Sequence, residues 1–124
     1  MIARSSLAPN DALGVALAAA FAARSKPLVD AFKASLPELE ANAALTAAAL
    51  KGMNNVWSPY LEMAGDDDLE TQRAELRMNA CATSGGVEKK QFEAFALAAS
   101  IVGKCHFCIG SHYAALEKEG LTTQ

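Results

Sequence analysis

Apolar residues in this chain recur every three or four positions, and no stretch of strand length alternates between apolar and polar residues. The first apolar stripe consists of Leu13, Leu17 and Phe21. A repeat of this period follows one face of an α-helix, whereas a half-buried strand repeats every two residues. The pattern therefore predicts an all-α fold, whose first helix is capped by Asn10 or Asp11 and runs to about Arg24.

Helix start and stop signals divide most of the remaining chain into further helices. The signals are polar capping residues, proline in the first turn and glycine just after the last turn. The predicted helices run from about Ser25 to Ala34, from the capping box Ser35–Glu38 through Leu50 to a stop at Gly52, from Leu69 to Cys81, from Val87 or Glu88 to Val102, and from Lys104 or Cys105 to Gly120.

Two polar or proline-containing segments lie between these predicted helices. Pro59, in Ser58-Pro59-Tyr60, lacks a backbone N–H and is expected to interrupt any helix there. The run Asp66-Asp67-Asp68 has the composition of a metal-binding segment. At the start of a helix, however, such carboxylates are more simply a cap and a favourable charge at the positive end of the helix dipole.

The composition indicates one helical domain, residues 1–124. A chain of 124 residues has the length of a single domain, and its hydrophobic content of 52% includes much alanine, which suits closely packed helices. The net charge of −3 and the scattered basic residues argue against a nucleic-acid or anionic-membrane partner. The alanine-rich N-terminal run is too short to span a bilayer, so we expect a cytoplasmic protein.

The C-terminal residues Leu121–Gln124 have the form of a helix cap without a helix behind it. This ending predicts either a chain truncated at its C-terminus or a partner chain that covers the exposed side of the last helix.

The segment Gly103–Tyr113 contains two of the three cysteines and both histidines. On a helix, Cys105, Cys108 and His112 fall within about 60° of one another. The unpaired amides at the helix start and the charge of Lys104 favour a thiolate, and His112 can take up or return its proton. The spacing predicts either a redox pair with a proton shuttle or most of a metal site.

Zinc is the main alternative to redox chemistry. Three ligands would come from one helix, whereas structural zinc sites usually draw ligand pairs from different elements, and the usual second pair is missing. The candidates for the fourth ligand are Cys81, His106 and Glu93. Haem attachment requires a histidine where Ile109 stands, and a thioredoxin fold requires strands. Cys81 is otherwise expected to be a small buried apolar residue.

Glu93 shares a helix face with Ala96, Leu97 and Ser100. Because buried acids are rare unless they are paired, position alone predicts that Glu93 lies at the solvent edge of this face. It is also the acid best placed on the preceding helix to set the charge state of His112. Both interpretations remain open from the residues themselves.

The set of Glu93, Cys105-x-x-Cys108 and His112 resembles the alkyl hydroperoxide reductase D (AhpD-like) family of the carboxymuconolactone decarboxylase-like superfamily. Two further stretches carry the resemblance, namely Gly52–Val56 and Leu76–Asn79. Relatives extend further in both directions and many have a histidine where this chain has Phe107, with His106 one place earlier. The resemblance thus implies an AhpD-like helical bundle that is incomplete at its C-terminus and assembles as a homotrimer.

The resemblance also implies an activity and a role for each residue. The activity is a thiol-dependent alkyl hydroperoxide reductase with no tightly bound cofactor, reduced by dihydrolipoyl groups of lipoylated proteins and acting with a peroxiredoxin of the AhpC type. Cys108 would become the sulfenic acid and Cys105 would close the disulfide, while Glu93 and His112 would form a proton relay. The alternatives are a non-enzymatic helical assembly subunit, a structural zinc-binding fragment, and the decarboxylase chemistry of the superfamily, which does not need the two cysteines.

Overall fold

The computed structural model describes residues 7–72 and 83–123. These two ranges contain six α-helices and one 3₁₀ turn, joined by short connections. In chain order they are α1 (Pro9–Ala22), α2 (Lys26–Ala34), α3 (Glu38–Ala64), α4 (Asp67–Glu70), the 3₁₀ turn (Ser84–Gly86), α5 (Lys89–Val102) and α6 (His106–Lys118). These two ranges contain no strand, and the all-α prediction is confirmed.

The core lies where α1, α3 and α5 pack against one another, and most of its buried residues are alanines. Small side chains allow the helix axes to approach closely. At Gly14 of α1 an added Cβ would overlap the ring of Phe95 on α5, so the two helices lie close together there. Phe95 is itself fully buried, so this aromatic ring fills space that the alanines leave open.

The predicted apolar faces match the core on α5 better than on α1. The stripe on α5 is buried at all four of its positions, Phe92, Phe95, Ala96 and Ala99. On α1, Leu17 is fully buried and Leu13 packs against the core, whereas Phe21 is 42% exposed. The periodicity therefore predicted correctly which side of α1 faces the core. It did not predict that this side is partly exposed to solvent at Phe21.

Helix α3 corrects the sequence prediction, because it continues through both Gly52 and Pro59 to Ala64. Proline inside a helix removes one hydrogen bond and costs about 3 kcal/mol. Beyond Gly52 the helix contacts α5 and the start of α6, because Asn55 donates to the carbonyl of Ala99 and the carbonyl of Asn54 lies beside Sγ of Cys105. It ends at Gly65, which has a φ of 59° and donates its N–H to the carbonyl of Leu61 at 3.1 Å.

The capping predictions have different outcomes. The capping box at the start of α3 does not form, since Pro37 is the N-cap and the hydroxyl of Ser35 donates to the carbonyl of Ala31 in α2 instead. Asp66 does cap α4, because its carboxylate accepts the N–H of Asp68 at 2.9 Å. The acidic run therefore serves as a helix cap, as predicted.

The helix predicted from Leu69 to Cys81 differs at its start. Leu69 and Glu70 end the short helix α4, and Thr71 and Gln72 are not helical. The rest of this predicted helix, including Cys81, lies outside the described residues. No helix within residues 7–72 and 83–123 combines the length and the apolar character that a membrane span requires.

Candidate functional site

The turn between α5 and α6 sets the position of both cysteines. Lys104 has a φ of 56°, and the amides of Lys104 and Cys105 donate back to the carbonyls of Ile101 and Ser100. This is the hydrogen-bond pattern that ends a helix with a left-handed residue. A Cβ on Gly103 would overlap the side chain of Asn55, so α3 approaches the turn closely only because residue 103 is glycine.

Cys105 is the N-cap of α6 and forms a disulfide with Cys108. Their Cα atoms are 5.3 Å apart, and the Sγ atom of Cys105 accepts the N–H of Cys108 at 3.3 Å. The carbonyl of Asn54 on α3 lies 3.7 Å from the same sulfur. The predicted Cys-x-x-Cys pair therefore stands at a helix start, as the sequence indicated.

The structure also brings Glu93 and His112 together across α5 and α6. The Nδ1 atom of His112 lies 2.5 Å from Oε2 of Glu93, with 12% and 19% of the two side chains exposed. A carboxylate can only accept a hydrogen bond, so Nδ1 carries the proton and Nε2 is left as the free nitrogen of a neutral ring. The expectation from position alone, that Glu93 is a solvent-edge residue, is therefore wrong.

Opposing influences act on the charge of His112. Burial lowers its pKa below the ordinary value of 6.5, and the positive charge of Lys51 lowers it further. The hydrogen bond and the negative charge of Glu93 act in the opposite direction, and the net pKa is lowered. His112 is thus biased toward the neutral form, which is the form that can accept a proton.

Comparisons with known proteins show the family of this chain. A model of the carboxymuconolactone decarboxylase family matches residues 67–124. The chain is 38% identical to the alkyl hydroperoxide reductase AhpD of Rhodospirillum centenum over all of its own length and 68% of that protein. It belongs to the AhpD family.

Other members of the AhpD family give similar matches. The AhpD proteins of Rhizorhabdus wittichii and Coxiella burnetii are 40% and 34% identical to this chain, over 87% and 95% of its length. The chain spans 64% and 68% of these two relatives, so it corresponds to about two thirds of the curated AhpD proteins that it matches.

His106, the other histidine of the segment Gly103–Tyr113, meets a different glutamate. Its Nδ1 atom lies 3.3 Å from Oε1 of Glu62 near the end of α3, and the two side chains are 77% and 58% exposed. Phe107 is also largely exposed, and both residues line a surface cavity of about 660 Å³ with Trp57 and Leu61. The structure therefore places His106 outside the group formed by Cys105, Cys108, Glu93 and His112.

Among the described residues, the fold adds no further ligand to a possible zinc site at Cys105, Cys108 and His112. Within residues 7–72 and 83–123, no group of three or more histidine, cysteine or acidic side chains is arranged to hold a metal ion. Cys81, a candidate fourth ligand, lies outside the described residues, as does the AhpD-like stretch Leu76–Asn79.

Lys51 was not among the predicted site residues, yet it is only 4% exposed. A signal was present, because Lys51 continues the buried alanine stripe of α3 at the spacing of a helix face. The preceding members of this stripe are Ala44, Ala47 and Ala48. A lysine in such a position is unusual, since lysine is almost never fully buried without a partner.

Proposed function

We propose that this chain is a thiol-dependent alkyl hydroperoxide reductase in which the Cys105–Cys108 disulfide is one state of a catalytic cycle. The observation that carries the proposal is the hydrogen bond between Glu93 on α5 and a neutral-biased His112, which lies on the same helix as Cys108, with the disulfide at the start of that helix. The name printed for the relatives, alkyl hydroperoxide reductase AhpD, supports an alkyl hydroperoxide as the substrate.

Cys108 is the proposed attacking residue. It lies one turn before His112 on α6, where side chains four residues apart share a face. Nε2 of His112 takes up the Cys108 proton, directly or through one water, while Glu93 holds the ring and balances its charge. The resulting thiolate attacks the terminal oxygen of the hydroperoxide, the O–O bond breaks, and the alkoxide leaves as an alcohol after taking up a proton.

Cys105 is the proposed resolving residue. Its thiol attacks the sulfur of the Cys108 sulfenic acid, an S–S bond forms, and water leaves. A dihydrolipoyl dithiol then supplies two electrons by thiol–disulfide exchange at Cys105 and is itself oxidised to the cyclic disulfide. A peroxiredoxin of the AhpC type could draw on the same pair of thiols. A single domain over residues 1–124 and a homotrimeric assembly complete the proposal.

The proposal is tested by counting thiols in the purified chain with Cys81 replaced by serine. After reduction, one equivalent of cumene hydroperoxide should remove two thiols together, and dihydrolipoamide should restore both. Adding Cys105→Ser should leave a sulfenic acid at Cys108 that dimedone traps, whereas adding Cys108→Ser should give none. One zinc ion per chain, or loss of the two thiols independently of each other, would contradict the redox proposal and favour a structural role.

A further inference from the structure

Lys51 lies on the face of α3 that meets the disulfide turn. Asn54 and Asn55 follow it by three and four residues, the spacing that places side chains on one helix face. The Asn54 carbonyl lies 3.7 Å from Sγ of Cys105, and Nδ2 of Asn55 donates to the carbonyl of Ala99 on α5 at 3.4 Å. Lys51 is thus a buried charge on the side of α3 that faces the candidate site.

Two charged residues among those described act on His112 from the neighbouring helices, namely Glu93 from α5 and Lys51 from α3. Their effects are opposite, because the carboxylate favours the imidazolium and the ammonium disfavours it. Water screens such effects weakly inside a protein, so a buried lysine influences a buried histidine more strongly than an exposed one does.

We propose that Lys51 is a positioning residue for the proton relay, because its buried ammonium offsets the Glu93 carboxylate and keeps His112 neutral until the Cys108 proton arrives. The inference rests on the proposed function in assigning that proton to His112. Transfer of the proton from the Cys108 thiol to Nε2 then creates one negative and one positive charge. No proton from solvent is needed for this step.

Loss of the Lys51 charge would let solvent protonate His112 at higher pH. The imidazolium cannot accept the thiol proton, and the thiolate would also lose a nearby positive charge. The acid limb of the Cys108 alkylation profile is the pH range in which the alkylation rate falls as the pH is lowered. This limb should therefore move to higher pH in Lys51→Met, a change that replaces the ammonium by an apolar group of similar length. Each unit of movement lowers the rate about tenfold at a pH well below the limb.

The primary test is a titration of both histidines by NMR in the oxidised protein, in which no thiol chemistry takes place. In Lys51→Met the His112 titration should shift to higher pH by half a unit or more, which corresponds to about a threefold change in the protonation constant. His106 serves as an internal reference and should not shift. Lys33→Met, at an exposed position in α2, is the matched control and should change neither histidine.

A second measurement does not depend on how well the variants fold. In the wild-type protein, nitrogen NMR of the Lys51 side chain should show an ammonium group at neutral pH. A neutral amine there would overturn the proposal, as would a His112 titration that is unchanged in Lys51→Met. Lys51→Arg keeps the charge and should keep the His112 titration near its wild-type position.

The results also separate this inference from the proposed function. A shifted His112 titration together with a shifted acid limb of Cys108 alkylation supports both. A shifted His112 titration with an unmoved limb supports the electrostatic action of Lys51 on His112 but contradicts the relay, and with it the proposed use of His112.

Discussion

Helix α6 carries two histidines, and each of them meets a glutamate on another helix. His112 and Glu93 are mostly buried and 2.5 Å apart, whereas His106 and Glu62 are mostly exposed and 3.3 Å apart. The two histidines are six positions apart on α6, so the same pair of chemical groups occurs twice along one helix. The two pairs differ chiefly in what surrounds them.

The environment decides which pair is suited to proton transfer. Water and salt screen the pair of His106 with Glu62, and exposed pairs of this kind contribute little. Burial instead disfavours the charged form of His112, so that its ring responds strongly to Glu93 and Lys51. A histidine next to a cysteine in sequence is therefore less informative than one that a neighbouring helix covers.

The largest expected effect comes from removing one histidine at a time. His112→Gln should lower the rate of hydroperoxide reduction, and of Cys108 alkylation near neutral pH, by about a hundredfold, in the usual range for loss of a general base. His106→Gln should stay within about twofold of the wild type, because its ring is outside the buried group. Stopped-flow measurement of thiol loss gives both rates. Equal losses in the two variants would remove the distinction between the histidines.

A smaller effect is expected from the two glutamates. Glu93→Gln keeps an oxygen that can accept from Nδ1 but removes the charge that favours the imidazolium, so thiolate formation should slow by about tenfold. Glu62→Gln is the matched control and should leave the rate unchanged. Iodoacetamide alkylation of Cys108 over a range of pH measures both variants. Alkylation of Glu93→Gln at the wild-type rate would show that this carboxylate is not part of the relay.

The smallest effect should be on stability. The folded state lowers the pKa of His112 below 6.5, so the unfolded chain binds more protons as the pH falls through and below that value. The contribution of His112 to stability is therefore fully present above pH 6.5 and is lost as the pH falls toward the folded pKa.

Urea unfolding at several pH values measures this contribution. The midpoint of His112→Gln should fall less steeply on acidification than that of the wild type, whereas His106→Gln should follow the wild type. If His112→Gln shows the full wild-type slope, burial does not favour the neutral ring.

The sequence was sufficient to predict the parts of the site that belong to one helix. Cys108 and His112 lie four residues apart on α6 and so share a face, and Cys105 precedes them as the N-cap of the same helix. The place of Glu93 depends on how α6 packs over α5, which the pattern of α5 alone does not contain. The residues themselves left two interpretations of Glu93 open, a solvent-edge residue or a partner of His112, and the family resemblance favoured the second.

The errors in α3 have a similar origin. Glycine and proline are unfavourable inside a helix. Their low helix propensity therefore predicts that the helix ends at Gly52 and is interrupted at Pro59. Contacts of Asn55 with Ala99 on α5 and of Asn54 with Cys105 at the start of α6 oppose that preference, and they exist only in the folded chain. Lys51 was missed because a charged side chain is usually taken to be solvent-facing, although its stripe indicated the core.

The burial of the disulfide has a further consequence for timing. Cys105 has no exposed surface and Cys108 is only 4% exposed, so the thiolate of another molecule cannot reach either sulfur in line without movement of the chain. The start of α6 must open before a dithiol can attack, and such local openings occur far more often than global unfolding. Reduction should therefore approach a limiting rate as the dithiol concentration rises, and that limit is set by how often this helix end opens.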